Sequence, residues 1–235
     1  SWRNKLRASR ALPTTIYARR YSVTPTGWAI VLGKAFQASS TAVTMTKQVP
    51  SQLTSRVTIA VKVVDLKSLK DATAHELLRS EISVIKKLRH PNLLRCHSVL
   101  MTVNNCYIVT EYCSGGDLAT YLKQRGRFSE KEAIGFIRDI VNGYLELAHR
   151  NILHRDIKPA NILLAEGSCR IADFGFAKFD REPGQREKYH VGTPLYMSPQ
   201  ALTCNIYSTK NDIFSLGVMF FELLHGYTPW QNCRT

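Results

Sequence analysis

The sequence predicts an α+β fold in which a strand-rich region is followed by a mainly helical region. Three observations support this prediction. Residues 27–64 are rich in Val, Thr and Ile, which favour strands. Apolar residues recur at helical spacing in residues 71–88 and 129–148. The small residues of Ser114–Asp117 separate the two regions, and such segregation of strands from helices is typical of α+β proteins.

The strand-rich region ends in a well-marked strand and a helix. Val57–Val64 alternates well enough for one half-buried strand, and Lys62 stands at its centre. Asp71–Leu88 is predicted to be a helix, because its apolar residues repeat at three- and four-residue steps and share one face. These residues are Leu77, Leu78, Ile82, Ile85 and Leu88. His90-Pro91-Asn92 is expected to stop this helix.

A strand pair is expected after that helix. Leu93–Val103 and Cys106–Tyr112 have strand composition, and Asn104-Asn105 provides a turn between them. Ser114–Asp117 then marks the predicted lobe boundary.

The helical region opens with a clear start signal. Ser129-Glu130-Lys131-Glu132 is a capping box, in which Ser129 and Glu132 satisfy each other's backbone N–H groups. The predicted buried stripe of the helix consists of Ile134, Ile137, Ile140, Val141, Tyr144, Leu145 and Ala148. Ile162–Leu164 and Cys169–Ile171 are predicted to be short strands around a turn at Glu166-Gly167.

The most apolar run of the chain is Ile213–Leu224. It is about 12 residues long, shorter than a membrane span, and it contains Glu222. We therefore predict a buried core helix and no transmembrane segment.

The net charge is +14, which by itself would suit a protein that binds nucleic acid. The distribution of charge disfavours that function. Residues 1–64 contain ten Lys or Arg and no Asp or Glu, so the rest of the chain carries only +4. The basic excess therefore belongs to an N-terminal segment rather than to a groove across the fold, and we predict no nucleic-acid partner.

The N-terminal residues leave three interpretations open. Residues 1–22 are Arg- and Ser-rich and lack acids, which is typical of a mitochondrial transit peptide. A solvated basic tail is the preferred alternative, and mistranslated sequence within residues 1–56 is the third. The six cysteines show no C-x-x-C pair, so buried thiols in a reducing cytosol are expected and the predicted location is cytoplasmic.

The most informative stretch of the chain is His154-Arg155-Asp156-Ile157-Lys158-Pro159-Ala160-Asn161, which Asp173-Phe174-Gly175 follows. Asn161 and Asp173 provide the oxygen ligands that Mg²⁺ prefers. Asp156 is then available to accept a proton from an attacking hydroxyl. A chance His-Arg-Asp in a polar loop is the alternative, and the offsets of the other residues disfavour it.

These motifs resemble the catalytic loop and magnesium loop of eukaryotic protein kinases, and the similarity runs from about Ile59 to Trp230. Ile157-Lys158-Pro159 resembles the serine/threonine branch. Ile171–Lys178 and Gly192–Met197 look most like Unc-51-like and related kinases. The resemblance implies a bilobal protein-kinase-like fold, with a small strand-rich N-lobe and a helical C-lobe whose last helices are missing.

The resemblance also implies domain limits and substrates. Residues 1–26 would be a basic, flexible segment, residues 27–113 the N-lobe and residues 114–235 a partial C-lobe. ATP and Mg²⁺ would be used to phosphorylate Ser or Thr of a protein substrate.

Further site residues follow from the same resemblance. Lys62 would pair with Glu81 on the helix and grip the ATP phosphates. Lys158 would offset charge on the γ-phosphate, and Thr193 would contact both Asp156 and Lys158.

The adenine pocket is predicted from the end of the last N-lobe strand. Thr110, Glu111 and Cys113 resemble the segment that meets adenine through backbone groups. Ala60 and Leu163 would cover the two faces of the ring, although both residues also suit a plain core. Asp117 would reach the ribose or a basic residue of the substrate.

The phosphate-covering loop departs from the family pattern of three glycines. Leu32–Ala38 is the best match, with Gly33 in the first position and Ala35 and Ala38 in the other two. Alanine cannot freely adopt positive φ. A distorted lid and weaker positioning of phosphate are therefore expected.

Two more features concern the loop that would bind the substrate. Gln200 stands where the family has a Glu that forms an ion pair, which puts the anchor of the loop in doubt. Between Gly175 and Gly192 the only hydroxyl is that of Tyr189, so either Tyr189 is phosphorylated and meets Arg155, or it simply packs. Asp212 is expected to bind the backbone of the His154-Arg155 loop.

Two functions are consistent with these features. The first is an active serine/threonine protein kinase, which Lys62, Glu81, Asp156, Asn161 and Asp173 favour because a scaffold does not need all five. The alternative is a catalytically weak or inactive kinase-fold scaffold, which the altered lid and Gln200 favour.

Overall fold

The computed structural model describes the backbone of residues 20–23, 28–32, 40–47, 55–180 and 186–230, and within these ranges the side chains from Thr58 onward. Contacts divide the chain into two compact units. The strand unit contains Arg95–Tyr112 and the described residues up to His75. The helical unit contains Glu76–Leu94 and the described residues from Cys113 onward. The domain limits predicted from the sequence stay a prediction.

The strand unit is built on one antiparallel sheet with the strand order β1-β2-β3-β4-β6-β5. The strands are β1 (Arg20–Val23), β2 (Trp28–Leu32), β3 (Ser40–Lys47), β4 (Ser55–Asp65), β5 (Cys96–Met101) and β6 (Asn105–Glu111). On β4, Ile59 and Val61 are buried, whereas Lys62 is half-buried and Val63 is exposed. The predicted strand is thereby confirmed, with Lys62 on the face opposite to Ile59 and Val61.

The β5–β6 hairpin confirms the predicted strand pair but not its first residue. The turn lies at residues 102–104, and the backbone N–H of Thr102 donates to the carbonyl of Asn105 at 2.8 Å. The prediction that the first strand begins at Leu93 is wrong. Leu93 forms a bridge with Ile171 in the helical unit, and the N–H of Leu94 donates to the carbonyl of Ile171 at 2.8 Å.

Helix α1 (Ala72–Ile85) begins and ends by local hydrogen bonding. Asp71 Oδ1 accepts the N–H of Ala74 at 2.7 Å at its start. The helix is three residues shorter than Asp71–Leu88 at its end, where the N–H of Lys87 turns to the carbonyl of Val84 at 3.0 Å. Such a tighter last turn is common at helix ends. The buried residues of α1 are Leu78, Glu81, Val84 and Ile85.

The helical unit also contains four further helices and two small sheets among its described residues. The helices are α2 (Leu118–Arg125), α3 (Glu130–His149), α4 (Pro199–Cys204) and α5 (Thr209–His225). The strands are β7 (Ile152–Leu153), β8 (Ile162–Ala165), β9 (Ser168–Ile171) and β10 (Lys178–Phe179), and they pair β7 with β10 and β8 with β9. The predicted strands around the turn at Glu166-Gly167 are therefore confirmed.

Helix α3 has the predicted capping box, but its buried face differs from the predicted stripe. Ser129 and Glu132 make both capping hydrogen bonds. Ile140 and Tyr144 are buried as predicted, whereas Ile134 and Leu145 are 47% exposed. The buried residues are Ala133, Gly135, Phe136, Asp139, Ile140, Gly143, Tyr144 and Leu147.

The buried face of α3 includes a glycine and a carboxylate because of what they meet. A Cβ at Gly143 would lie 2.6 Å from the carbonyl oxygen of Asn92, so only glycine allows this approach. Asp139 Oδ2 accepts the N–H of Cys169, at the second position of β9, at 3.2 Å. A hydropathy pattern assigns both residues to the surface, and the predicted stripe therefore differs from the observed buried face.

Helix α5 contains the predicted apolar run and ends at Gly226, which adopts φ +83°. Leu216, Met219 and Leu223 are buried, whereas Ile213 is 55% exposed, so the helix is buried on one side only. In the part of the chain that the structure describes, no helix combines the length and the apolar character that crossing a bilayer requires. Four cysteines are buried as expected, namely Cys96, Cys106, Cys113 and Cys169.

Candidate active site

The loop between β7 and β8 is held in place by Asp212, near the start of α5. Asp212 Oδ2 accepts the backbone N–H of His154, and Oδ1 accepts that of Arg155, both at 2.8 Å. Asp212 is buried, and burial raises the pKa of its carboxyl against the opposing effect of His154 and Arg155. The predicted contact of Asp212 with this loop is confirmed. Its two bonds fix the backbone immediately before Asp156.

His154 links this loop to the segment that leads to Asp173. Its Nε2 lies 3.1 Å from the carbonyl of Ala172, and its Nδ1 accepts the backbone N–H of Asp156 at 3.3 Å. These two partners assign the ring proton to Nε2, because a carbonyl oxygen only accepts. The ring also packs edge-on against Phe174 at 5.4 Å. His154 is fully buried, so its role is to join the two loops.

Asp156 lies at the centre of a compact polar cluster. Its Oδ2 accepts from Lys158 Nζ at 2.7 Å and from Asn161 Nδ2 at 2.9 Å. Its Oδ1 accepts from Thr193 Oγ1 at 2.7 Å, and Lys158 Nζ also donates to that hydroxyl oxygen at 2.7 Å. The structure thus brings together four predicted site residues that lie up to 37 positions apart in the chain.

The cluster determines the charge of Asp156. Burial raises the pKa of the Asp156 carboxyl, but the hydrogen bonds from Lys158, Thr193 and Asn161 and the charge of Lys158 together outweigh burial. The net result is a pKa below the ordinary value of an aspartate. Asp156 is therefore ionised at neutral pH, which a group that accepts a proton from a hydroxyl requires.

Thr193 reaches the cluster because the chain before it passes very close to the catalytic loop. Gly192 adopts φ +108°, and a Cβ there would lie 2.5 Å from the carbonyl oxygen of Arg155. Any other residue at this position would be strained and would push the two segments apart.

Asn161 and Asp173 present oxygen atoms suited to a hard cation. Asn161 Nδ2 donates to the carbonyl of Asp156 at 2.8 Å as well as to its carboxylate, so the amide oxygen of Asn161 points away from Asp156. The carbonyl of Asn161 accepts the N–H of Ala172 at 2.8 Å, which links it to the residue before Asp173. Asp173 is exposed and adopts φ +58°. An amide oxygen and an exposed carboxylate fit Mg²⁺, which takes few protein ligands beside a nucleotide.

Glu81 lies in the helical unit beside the Asp173-Phe174-Gly175 loop. It is 6% exposed, and a Cβ at Gly175 would lie 3.8 Å from its Oε2. Ser80, one residue earlier on α1, donates to the carbonyl of Ala177 at 2.7 Å. The α1 residues from Glu76 onward are thereby fixed against this loop. The pairing of Glu81 with Lys62 stays a prediction, since these residues belong to different compact units.

The strand unit carries Lys62, Ala60 and Thr110 on one face of its sheet. Ala60 is paired with Thr110, and Lys62 with Ile108, between β4 and β6. Directly paired residues point to the same side of a sheet, and residues two apart on one strand do so as well. Glu111 has a local role, because its Oε1 accepts the N–H of Arg95 at 2.8 Å.

The predicted phosphate-covering loop lies outside the described residues. Gly33, Ala35 and Ala38 fall within residues 33–39, between β2 and β3. The expectation of a distorted lid therefore stays a prediction.

Cys113, Asp117 and Leu163 belong to the helical unit. Cys113 is buried, and Leu163 forms a bridge with Asp117. Asp117 also caps α2, because its Oδ1 accepts the N–H of Thr120 at 2.7 Å and its Oδ2 the hydroxyl of Thr120 at 2.8 Å. Both carboxylate oxygens thus have local partners in addition to any ligand.

Tyr196 anchors the segment after Thr193 on α5. Its hydroxyl donates to Glu222 Oε2 at 2.6 Å, and its carbonyl accepts from Ser215 Oγ at 2.7 Å. Burial raises the pKa of the Glu222 carboxyl, while the hydrogen bond from Tyr196 opposes that change. Trp230 Nε1 adds a bond to the carbonyl of Leu195 at 2.8 Å.

Ser198 and Asn211 hold the same segment next to Gln200. Asn211 Nδ2 donates to Ser198 Oγ at 2.6 Å, and that oxygen also accepts the N–H of Ala201 at the start of α4 at 3.3 Å. These bonds fix the segment without an ion pair at position 200. The sequence did not predict that Ser198, Asn211, Tyr196 and Glu222 hold this segment. The only signal was the presence of two polar residues, Asn211 and Glu222, in the mainly apolar helix α5.

Comparison with known proteins shows similarity to protein kinases. Residues 45–235 match the family described as protein kinase domain. Serine/threonine-protein kinase ATG1a of Arabidopsis thaliana is 36% identical over 182 residues, which cover 76% of this chain and 29% of that protein. Serine/threonine-protein kinase atg1 of Dictyostelium discoideum is 37% identical, with 74% of this chain and 27% of that protein covered.

A human relative extends this pattern. Serine/threonine-protein kinase ULK3 of Homo sapiens is 35% identical over 181 residues, which cover 76% of this chain and 38% of that protein. The chain spans well under half the length of these relatives. The predicted α+β kinase fold and the resemblance to Unc-51-like kinases are both confirmed by these matches. The chain belongs to the protein kinase family.

Proposed function

We propose that the protein containing this chain is a serine/threonine protein kinase, which transfers the γ-phosphate of ATP to a hydroxyl of a protein substrate. One observation supports this most directly. Asp156 is ionised, buried and held at both oxygens by Lys158, Asn161 and Thr193. A carboxylate fixed in this way serves to orient a hydroxyl and to accept its proton.

Lys158 and Thr193 have separate tasks in this proposal. Lys158 Nζ lies 2.7 Å from both Asp156 Oδ2 and Thr193 Oγ1, so a phosphoryl group that passes to a hydroxyl at Asp156 would meet its charge. It offsets negative charge that develops during transfer. The Thr193 hydroxyl donates to Asp156 and accepts from Lys158, which fixes the relative positions of these three side chains. Catalysis by this class of enzyme depends mainly on such positioning.

Asn161 and Asp173 are the residues that would hold Mg²⁺. When bound, the ion neutralises phosphate charge and orients the ATP phosphates. In the chain itself, Asn161 also fixes Asp156, so one residue serves both the metal and the acceptor of the proton. Lys62, on β4, would bind the α- and β-phosphates.

The test is transfer of labelled γ-phosphate by the full-length protein to serine, threonine and tyrosine peptides, with and without Mg²⁺. We expect labelled phosphoserine or phosphothreonine that depends on Mg²⁺. Label on tyrosine alone, or no transfer to any general peptide library, would contradict the proposal.

The alternative is a kinase-fold scaffold without catalytic activity. Gln200 and the alanines at positions 35 and 38 favour it, because the family pattern has Glu and glycines there. The two functions differ in a simple measurement. A scaffold binds its protein partner equally well when Asp156 is replaced by Asn, and it transfers no phosphate before or after that change.

A further inference from the structure

Glu187 is fixed at both its backbone and its side chain. The backbone N–H of Glu187 donates to the carbonyl of Asn205 at 2.8 Å, and Asn205 Nδ2 donates to the carbonyl of Glu187 at 2.6 Å. Its carboxylate lies 2.7 Å from Lys178 Nζ and 3.5 Å from the Arg155 guanidinium. One carboxylate thus joins the catalytic loop, strand β10 and the segment before Thr193.

The ion pair between Arg155 and Glu187 is largely removed from water. The two side chains are 6% and 18% exposed, so the pair is screened far less than a surface pair. Arg155 Nε also donates to the carbonyl of Phe176 at 2.7 Å, and the guanidinium lies over the Tyr207 ring at 5.5 Å. Removing only the carboxylate would leave Arg155 as a buried charge without its anionic partner.

The position of Arg155 matters for the reaction because it adjoins Asp156. Arg155 adopts φ +66°, a conformation that a non-glycine residue rarely takes, and its carbonyl passes close to Gly192. The surrounding contacts must therefore hold it in place. Among them, Glu187 supplies the negative charge nearest to the guanidinium that any described ion pair shows.

We propose that Glu187 is a positioning residue which supplies, from the chain itself, the negative charge that fixes residues 176–180 and 186–193 beside the catalytic loop. On this basis these described residues keep their positions without phosphorylation. The proposal rests on the proposed kinase function for its effect on activity, but its structural part can be tested separately.

Packing and a hydrogen bond to a carboxylate hold Tyr189 in place, which agrees with this proposal. Tyr189 packs against the buried cluster of Leu153, Val191, Met197, Ala201 and Tyr207. Its hydroxyl donates to Glu76 Oε2 at 3.3 Å. A phosphate on that oxygen would meet this carboxylate, which is unfavourable, and also Lys188, whose Nζ lies 4.9 Å from the centre of the Tyr189 ring. Phosphorylation of Tyr189 stays a hypothesis, and the structure agrees better with the alternative that this side chain packs.

A cavity of about 650 Å³ lies beside these residues in the helical unit. It is lined on one side by Glu76, Arg79, Ser80 and Ser83 of α1, and on the other by Lys178, Glu187 and Tyr189. The residues around Glu187 keep their positions through its polar contacts with Lys178, Arg155 and Asn205 as well as through packing. Loss of the Glu187 charge is expected to loosen it rather than let it repack.

The first experiment compares enzyme kinetics of full-length variants after complete phosphatase treatment. We expect Glu187→Gln to lower kcat about 10- to 100-fold, the scale of a small misplacement of catalytic groups, with little change in KM for ATP. Glu187→Asp keeps the charge and should lie closer to wild type. Tyr189→Phe and the treated wild type should keep their activity.

A matched control comes from the exposed face of α3. Glu146→Gln also removes an ion pair of Glu with Arg, because Glu146 Oε1 lies 2.6 Å from Arg150 Nε. Both residues of this pair lie outside residues 176–193, so we expect unchanged kcat. Equal kcat in Glu187→Gln and wild type, or loss of activity on phosphatase treatment alone, would overturn the proposal.

The second experiment does not need catalytic activity. Hydrogen exchange of backbone amides is measured by mass spectrometry in phosphatase-treated wild type, Glu187→Gln and Glu146→Gln. We expect faster exchange at residues 186–191 and 176–178 in Glu187→Gln only. Unchanged exchange there would overturn the proposal even in an active enzyme. If the wild type transfers no phosphate but Glu187→Gln shows the expected exchange, then the proposed function fails and the role of Glu187 in ordering the segment stands.

Discussion

The loop that carries Asp156 and the loop between β2 and β3 differ in where their chemistry lies. In the catalytic loop the chemistry lies in side chains: the carboxylate of Asp156 accepts hydrogen bonds from Lys158, Asn161 and Thr193. In the loop between β2 and β3 the family uses backbone N–H groups that glycine makes accessible. Here Gly33 is followed by Ala35 and Ala38. Side-chain chemistry can be identified from residue types, whereas backbone chemistry depends on conformation.

The comparison with known proteins follows the same division. The family match begins at residue 45, after Ala38, and it includes Lys62, Asp156, Asn161 and Asp173. We propose that the catalytic half of the site is complete, and that any weakness lies in how the phosphates of ATP are covered.

The largest effect is expected for Asp156→Asn. Asparagine keeps the shape but cannot accept the proton of the substrate hydroxyl. We expect kcat of the full-length protein to fall about 10²- to 10⁴-fold, the usual contribution of a positioned base. Affinity for Mg·ATP should be unchanged, as isothermal titration calorimetry would show. An unchanged kcat would mean that the polar cluster is structural only.

Asp173→Asn should act on binding instead. The substitution removes the charge of the exposed carboxylate that we assign to the metal, and Asp173 makes no contribution to the cluster around Asp156 in the hydrogen bonds described above. We expect the affinity for Mg·ATP to fall about 10- to 100-fold, on the scale of altered metal sites. Affinity for ATP without metal should change little. Equal losses with and without Mg²⁺ would contradict the assignment.

Asp212→Asn tests the support beneath the catalytic loop. An amide can accept only one of the two backbone N–H bonds that the carboxylate accepts, so one buried donor loses its partner. We expect the free energy of unfolding to fall by about 1–3 kcal/mol, measured by urea denaturation. Thr203→Ala, at an exposed hydroxyl of α4, is the control and should have a much smaller effect. A stable Asp212→Asn protein would show that the loop does not depend on this residue.

Lys158→Met tests the charge state of Asp156 by its pH dependence. The hydrogen bond and the charge of Lys158 both lower the pKa of the Asp156 carboxyl. Removing both effects should raise the pKa of the Asp156 carboxyl. As the pH falls, the carboxylate of the variant therefore becomes protonated, and activity is lost, at a higher pH than in the wild type. The acidic limb of the pH profile of kcat/KM should therefore move upward in the residual activity. A limb at the wild-type position would show that another group controls it.

The smallest effect is expected in the loop between β2 and β3. Ala35→Gly together with Ala38→Gly should allow closer approach of backbone N–H groups to phosphate. We expect tighter binding of Mg·ATP by about 1 kcal/mol, the scale of one strained backbone position. Ala29→Gly within β2 is a control for the effect of glycine itself. Unchanged or weaker binding would show that the predicted lid is misplaced.

Much of the site could be predicted because its residues lie within short motifs. Asp156, Lys158 and Asn161 are close in sequence, and Thr193 follows a glycine that the backbone requires. The strand with Lys62 and the cap of α3 were visible in local patterns. In each case the physical cause acts over a few residues.

Other features depend on partners that are distant in the chain. Arg155 and Glu187 form an ion pair although they are distant in sequence, and no local sequence pattern links them. The observed buried face of α3 differs from the predicted one because it includes Gly143, which faces the carbonyl of Asn92, and Asp139, which accepts the N–H of Cys169. Polar and small residues are counted as surface by hydropathy, and only the folded chain shows what they meet.

The most direct test of this account is one kinetic comparison of full-length wild type, Asp156→Asn and the double variant Ala35→Gly/Ala38→Gly with a serine peptide and Mg·ATP. We predict an active wild type, a loss of about 10²- to 10⁴-fold in kcat for Asp156→Asn, and a lower KM for ATP with similar kcat for the double variant. An inactive wild type that the double variant does not rescue, or an Asp156→Asn protein as active as wild type, would contradict the claim of a complete catalytic half.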